Sequence, residues 1–277
     1  RKTNKNMILS IDDLMTTIEK VTQTSRDQIV KYLGSNVIKN VFAFYDIQYE
    51  FERTTMHVAR QNKKIVGYVL VYDATDVPSV ILESQKEVAD KLLNYTPQDN
   101  FIMHTSPKLL QTVVKRFPHA KTYIENWMLV KKSEAKSFRS KMVRKLRTTE
   151  DADMLAKLLL SRQDRPKRHL KRYKDWIARM PLYGVFENGK LVSYAGSFVK
   201  LPQLWMIGGV YTAPEKRNMG YALLATSAVT QESLKKADAA ALFVRSDNYP
   251  AIKVYEKIGY RKMGERIWVD VGTGMMP

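Results

Sequence analysis

Apolar residues recur at two periods along this chain, and the change between periods marks its elements. In the second half, Met154, Leu155, Leu158 and Leu159 share one helical face. Thr148 or Thr149, with Asp151 and Asp153, supplies an amino-terminal cap and acidic first-turn residues for that helix. A basic stretch, Arg162 to Trp176, reads as a loop and a second helix. The period then falls to two over Leu182–Phe186, and Asn188-Gly189 follows as a type I′ turn. That turn pairs the strand antiparallel with Leu191–Lys200. A strand over Gln203–Tyr211, a glycine-containing loop, a helix from about Gly220 to Lys235, a strand Ala240–Arg245, a helix Tyr249–Ile258 and a strand Lys262–Val271 complete the order.

The first half repeats the plan. Around a second hairpin, Asn62 aligns with Asn188, Lys64 with Lys190, Val66 with Val192 and Tyr68 with Tyr194, all at one constant offset. Helices are expected near Ser10–Val21 and Ser25–Leu33 before this hairpin. Strand, helix and strand follow at Phe101–His104, Pro107–Phe117 and Thr122–Val130. We read a tandem duplication of one α/β unit, divided near residue 138 into a first domain over 1–138 and a second over 139–277.

Composition narrows the chemistry. The 277 residues are 44% hydrophobic and 10% aromatic, enough for two packed cores. There is no cysteine, which excludes disulfides, thiolate nucleophiles and cysteine-ligated zinc. The four histidines are isolated, none at the i, i+4 spacing of a metal pair, so no metal is expected. No apolar run approaches a membrane span and Arg1–Met7 has no signal-peptide centre, so the expected location is the cytoplasm, away from the membrane. The net charge of +18 would attract nucleic acid, an anionic surface or a polyphosphate.

Two motifs choose among these. Val210 to Ala222, VYTAPEKRNMGYA, lies between a strand and a helix, and its Arg217, Gly220 and Ala222 form R-x-x-G-x-A. Outward-pointing backbone N–H groups at such a helix start bind pyrophosphate, and a glycine there lets the phosphate come close. One strand further on stands Asn248 to Tyr260, NYPAIKVYEKIGY. Together the motifs resemble the GNAT superfamily of acyl-coenzyme A N-acyltransferases, with GGVYTAPEKRNMGYA similar to its glycine N-acyltransferase-like branch. The resemblance covers roughly residues 140 to 272.

It implies an α/β fold, a mixed sheet flanked by helices, in which the Gln203–Tyr211 strand splays from its neighbour and the pantetheine arm of acetyl-coenzyme A lies in the gap. Backbone groups of Val210, Tyr211 and Thr212 would pair with that arm. The loop Arg217, Asn218, Met219, Gly220, Tyr221 and Ala222 would hold the pyrophosphate. Asn248 would contact the coenzyme, and Tyr255 would face the sulfur and protonate the departing thiolate. A strand N–H, of Val210 or Tyr211, would stabilise the oxyanion. Leu204–Tyr211 carries no Asp or Glu, so the general base is unassigned among a water chain, Tyr211 and an acid of the first two helices. Ser193 and Ser197 could polarise water but are too weakly basic to act alone.

The first half lacks both motifs and has no glycine after Gly67, which marks it as a degenerate copy without a coenzyme site. The expected reaction is direct acetyl transfer to a primary amine of a small molecule, amino acid or protein. Seven basic residues between Arg162 and Lys174 would suit an anionic acceptor, or form a solvated helix face. The alternative class is an acyl-coenzyme A sensor or nucleic-acid-associated binding protein without turnover, and it ranks lower because a binder has no need of Tyr255 beside Asn248. The sequence allows a monomer or a homodimer.

Overall fold

The computed structural model describes residues 16–74, 77–148, 150–162 and 170–275. Thr149, Arg165, Lys167 and Arg168 from the expected cap and basic patch lie outside them. Twelve strands and eight helices run in the order β1 (Thr17–Lys20), α1 (Arg26–Gly34), α2 (Val41–Tyr49), β2 (Thr54–Gln61), β3 (Lys64–Tyr72), β4 (Ser79–Ser84), α3 (Lys86–Leu93), β5 (Phe101–Thr105), α4 (Leu110–Arg116) and β6 (Lys121–Lys131). The order continues with β7 (Val143–Lys145), α5 (Ala152–Leu160), α6 (Leu170–Arg179), β8 (Leu182–Glu187), β9 (Lys190–Lys200), β10 (Leu204–Thr212), α7 (Tyr221–Leu234), β11 (Ala239–Arg245), α8 (Tyr249–Ile258) and β12 (Arg261–Val271). The architecture is the expected α/β mixed sheet flanked by helices.

The chain forms two compact units, neither continuous in sequence. Among the described residues the first gathers 16–36, Ala43–Thr122 and Ile267–Thr273; the second gathers Val37–Phe42, Tyr123–Arg266 and 274–275. In the first unit β1, β2, β3 and β4 pair antiparallel in turn, β4 runs parallel to β5, and the Ile267–Val271 half of β12 closes antiparallel on β5. In the second unit β7, β8, β9 and β10 pair antiparallel, β10 starts parallel to β11, and β6 closes antiparallel on β11. Each unit therefore has the same topology, and each takes its closing strand from the other half of the sequence.

Each sheet buries both faces. In the first unit α3 and α4 cover Val69, Leu82, Phe101 and Val269, and on the other face Ile29, Leu33 and Ile47 cover Met56, Val58 and Tyr68. The second unit repeats this with α7 and α8 over Val192, Leu242 and Val244, and α5 and α6 against Leu191 and Tyr194. Tyr68 and Tyr194, matched by the repeat, thus occupy equivalent places. Both hairpins turn through two left-handed residues, Asn62 and Lys63 at φ 48° and 64°, Asn188 and Gly189 at φ 48° and 74°.

One expectation fails. Where a helix was expected over Ser10–Val21, Thr17–Lys20 is a strand paired with His57–Arg60; Ser10–Met15 lie outside the described residues. Thr17 and Ile18 are β-branched, and pairing to β2 outweighs a weak helical pattern. The sequence reading also passed over α2, β4 and α3.

Candidate functional site

The site of interest is built where β10 leaves β11. The two strands pair only from Leu204–Ala239 to Met206–Ala241, although β10 continues to Thr212 and β11 to Arg245. On its other edge β10 carries a bulge: Gly208 stands opposite Gly196 and Tyr211 opposite Tyr194, so Gly209 and Val210 have no ladder partner. Gly209 sits at φ +64°, and a Cβ there would lie 3.1 Å from the Tyr194 hydroxyl. Past Met206, β10 has no ladder partner on its β11 edge, and at Gly209 and Val210 it has none on its β9 edge, so backbone polar groups are left that an added strand of ligand amides can use.

Side chains fix the walls. The Tyr211 hydroxyl shares a hydrogen bond of 2.9 Å with Ser161 Oγ, and Arg162 lies over its ring at 5.6 Å. Thr212 Oγ1 is 2.8 Å from Ser193 Oγ across the strands, and Ser197 donates to the Val199 carbonyl at 3.1 Å. The Ser193–Thr212 bond links β9 to β10, the Ser197 bond stays within β9, and the Tyr211 bond ties β10 to the end of α5.

After β10, the chain makes a short helical turn at Pro214–Lys216 and then a loop with Arg217 extended, Asn218 at φ 63° and Gly220 at φ 79°. Gly220 begins the helix α7, where no side chain caps the first N–H groups and no acid stands in the first turn. A Cβ on Gly220 would meet nothing within 4 Å, and Met219 is 53% exposed, so the helix start opens outward. Unsatisfied N–H groups and the positive end of the dipole make it fit for an anion. Beside it the Tyr221 hydroxyl donates to Glu187, which also pairs with Lys216. Hydrogen bonds from Lys216 and then Tyr221 hold the Glu187 carboxyl below the usual range, and its carboxylate holds Lys216 above the usual ammonium range. Sequence reasoning missed Glu187; its place at the end of a hairpin strand gave no signal.

The third wall is α8. Asn248 caps it, accepting from the Ala251 N–H at 3.3 Å, so its side-chain oxygen serves the helix. Tyr255 is only 6% exposed and packs edge-on to Tyr260 at 6.1 Å between centroids. Tyr260 has its hydroxyl bonded to Thr230 at 2.8 Å, whereas the Tyr255 hydroxyl makes no hydrogen bond among the described residues. Burial pushes the Tyr255 phenol well above its ordinary range. Tyr255, Tyr221 and Val244 share one buried cluster, with Val210 packed against it. Val210 beside the bulge, Tyr221 at the α7 start and Tyr255 thus meet in one cluster. Among the described residues no group of three or more His, Asp or Glu could hold a metal ion, and no helix is long and apolar enough to cross a membrane.

Residues 182–269, from β8 into β12, match the family model of FR47-like proteins. A search of curated proteins finds no match. Among solved structures, a Drosophila protein superposes with a TM-score of 0.73 at 13% identity, over 93% of this chain and 99% of its own. A tandem GNAT protein from the clavulanic acid biosynthesis pathway gives 0.59 at 11% identity, over 93% and 98%. A GNAT-family acetyltransferase from Colwellia psychrerythraea gives 0.57 at 16%, over 92% and 99%. At these identities the likeness shows the fold alone, here one shared with a tandem GNAT protein over 93% of this chain.

Proposed function

We propose that the second unit is an N-acyltransferase that moves an acetyl group from acetyl-coenzyme A to a primary amine by direct attack. The observation that carries this reading is Tyr255: its ring is buried and its hydroxyl bonds no described residue, beside a stretch of unpaired strand backbone and an uncapped helix start.

The α7 start and the loop Arg217, Asn218, Met219, Gly220, Tyr221 and Ala222 take the pyrophosphate. The backbone of Val210, Tyr211 and Thr212 receives the pantetheine arm, and Asn248 stands near it. Acetyl-coenzyme A presents its carbonyl at that stretch of strand, where the Val210 or Tyr211 N–H stabilises the oxyanion as the amine nitrogen bonds to carbon. The carbon–sulfur bond then breaks, and the thiolate takes a proton or a hydrogen bond from Tyr255. With reference values near 10 for a phenol and 8.5 for a thiol, that transfer is uphill by about 2 kcal/mol. Burial raises the phenol further, but the same apolar walls raise the thiol, so the two stay close enough for Tyr255 to act as donor. The attacking nitrogen gives up its proton to water or to a base still to be identified.

The first unit is the degenerate copy. Gln85 alone links β4 to α3, leaving no room for a pyrophosphate loop, and β4 stays paired with β5 to Leu82–Thr105, where β5 ends. Within the superfamily we favour the glycine N-acyltransferase-like branch and an amino-acid or other small amine, with an anionic group facing Arg162 and Lys171–Lys174. The test is acetyl-coenzyme A turnover, followed as free thiol against a panel of amines and amino acids. Amine-dependent thiol release that collapses in Tyr255→Phe establishes the reaction; coenzyme binding without turnover for any amine would favour a sensor, and no binding would sink the reading.

A further inference from the structure

The loop from β10 into α7 makes few bonds of its own. Before it the Lys216 N–H donates to the Ala213 carbonyl at 2.9 Å, and after it the helix opens with the bond from the Leu224 N–H to the Gly220 carbonyl at 3.2 Å. Arg217 adds a long bond to the Pro214 carbonyl at 3.4 Å, and from Asn218 to Leu223 no backbone N–H donates among the described residues. Asn218 and Gly220 stand at positive φ, Met219 is exposed, and nothing lies within 4 Å of where a Cβ on Gly220 would be. A segment with free donors and little packing of its own keeps one shape only if its ends are fixed.

Both ends are fixed on one carboxylate. One oxygen of Glu187 pairs with the Lys216 ammonium, and the other accepts from the Tyr221 hydroxyl. Lys216 is the residue before Arg217 and Tyr221 is the first of α7, so the two tethers bracket Arg217–Gly220. The anchor belongs to the sheet. Glu187 ends β8, paired with Lys190 across the Asn188-Gly189 turn, and the preceding Phe186 N–H donates to the Met142 carbonyl at 2.8 Å. Tyr221 is held as well, its ring only 8% exposed in the cluster that α7 shares with the sheet. By charge alone an acid here works against an anion site, since its field repels phosphate. What Glu187 can add is position.

We infer that Glu187 is a coenzyme-positioning residue: its clasp on Lys216 and Tyr221 sets the Arg217–Gly220 loop and the free N–H groups of the α7 start in the arrangement that takes the pyrophosphate. This rests on the acyl-coenzyme A reading above. Position and charge predict opposite signs. A Glu187 that acted only as a charge would, on removal, tighten the binding of an anion; a Glu187 that sets the loop would, on removal, weaken it.

The test measures coenzyme A and 3′-dephospho-coenzyme A, which share the pyrophosphate and differ in the 3′-phosphate, by calorimetry on wild type, Glu187→Ala and Glu187→Gln, with thermal melting alongside. Glu187→Ala is expected to weaken both ligands alike, about tenfold, because both bonds to the carboxylate are lost. It should melt within about 3 °C of wild type, as a surface clasp adds little to stability. Glu187→Gln keeps one acceptor and should weaken both ligands about threefold. In Lys216→Met/Tyr221→Phe, which lacks the donors of the clasp, Glu187→Ala should bring no further loss. Unchanged or tighter binding in the two Glu187 variants overturns the inference. A full further loss in the Lys216→Met/Tyr221→Phe background, or a loss confined to coenzyme A, places the effect elsewhere and also overturns it. Should Glu187→Ala melt early, Glu187→Gln decides by the sign of its effect. Failure of wild type to bind either ligand sinks the acyl-coenzyme A reading itself, whereas wild-type binding that ignores Glu187 sinks only this inference.

Discussion

The Tyr255 ring is buried while its hydroxyl bonds no described residue, and what that hydroxyl does can be measured apart from what the ring packs. Tyr255→Phe keeps the ring in its cluster and removes only the hydroxyl. We expect turnover to fall about a hundredfold while coenzyme A affinity changes less than twofold. The pH dependence has a definite sign: burial raises the phenol, so the donor form persists as pH rises and is lost only above the ordinary phenol value near 10. A rate profile should therefore rise as the amine deprotonates and show no fall between about pH 8 and 10 that Tyr255→Phe abolishes. Asp151 offers a contrast, structural rather than chemical. Fully buried, it takes hydrogen bonds of 2.6 and 2.7 Å from Arg144 and one of 2.6 Å from the Arg147 N–H. Burial pushes its carboxyl up, but those bonds outweigh it and the net shift is downward. Its contribution is thus complete above about pH 4, the unfolded value, and fades as pH falls through the lower folded one. Asp151→Asn should cost about 2–3 kcal/mol at neutral pH in denaturant titrations, with the gap to wild type closing in acid. Of these residues Tyr255 was legible from its spacing to Asn248. Glu187 was not, since one acid at the end of a hairpin strand belongs to no pattern until the strand's neighbours are known.

Elements with a one-sided or alternating pattern could be read directly, and those buried on all sides could not. The Asn188-Gly189 hairpin, α5 and α8 stand where the periodicity put them, whereas α7, buried nearly all round, stands where the glycine-containing loop before it put it. α2, VFAFYDIQY, is apolar almost all round, so no stripe announces it as a helix. The loop into α7 combines both cases: its motif was plain, but the bulge at Gly209 and the clasp of Glu187 on Lys216 and Tyr221 depend on strand register. A prediction at this scale separates strain from charge at Gly220. Its φ of 79° is left-handed, which costs most side chains about 1–2 kcal/mol but is tolerated best by Asn and Asp. Gly220→Asn should then bind coenzyme A within about threefold of wild type. Gly220→Asp, with similar shape, should weaken it by more than tenfold at low salt, because the carboxylate occupies the helix start where the pyrophosphate belongs. Equal affinities for the two variants would remove the pyrophosphate from this loop.

At the scale of the whole chain, the duplicated pattern at Asn62 and Asn188 revealed two similar units, while the reciprocal use of the closing strands stayed hidden. No local signal says which strand an eleven-residue alternating segment will pair with, because pairing is decided by edges far away in sequence. The consequence is physical. A fragment of residues 1–138 would lack Ile267–Val271, which pair with all of β5, and would expose that strand's edge together with the apolar surface of Phe101 and Met103. A fragment of 139–277 would lack β6, leaving β11 unpaired from Ala239 to Arg245 and stripping Met128 and Val130 from the core that holds Tyr255. Neither fragment should melt cooperatively or bind coenzyme A when expressed alone, whereas coexpression of the two should restore both properties, as paired edges and cores are rebuilt. Circular dichroism melts and calorimetry on the separate and coexpressed fragments decide the matter. A cooperative, coenzyme-binding 139–277 fragment would show that β6 is dispensable to the second unit; a dead fragment rescued only by its partner would mean that the degenerate half persists because its last strand completes the other half's site.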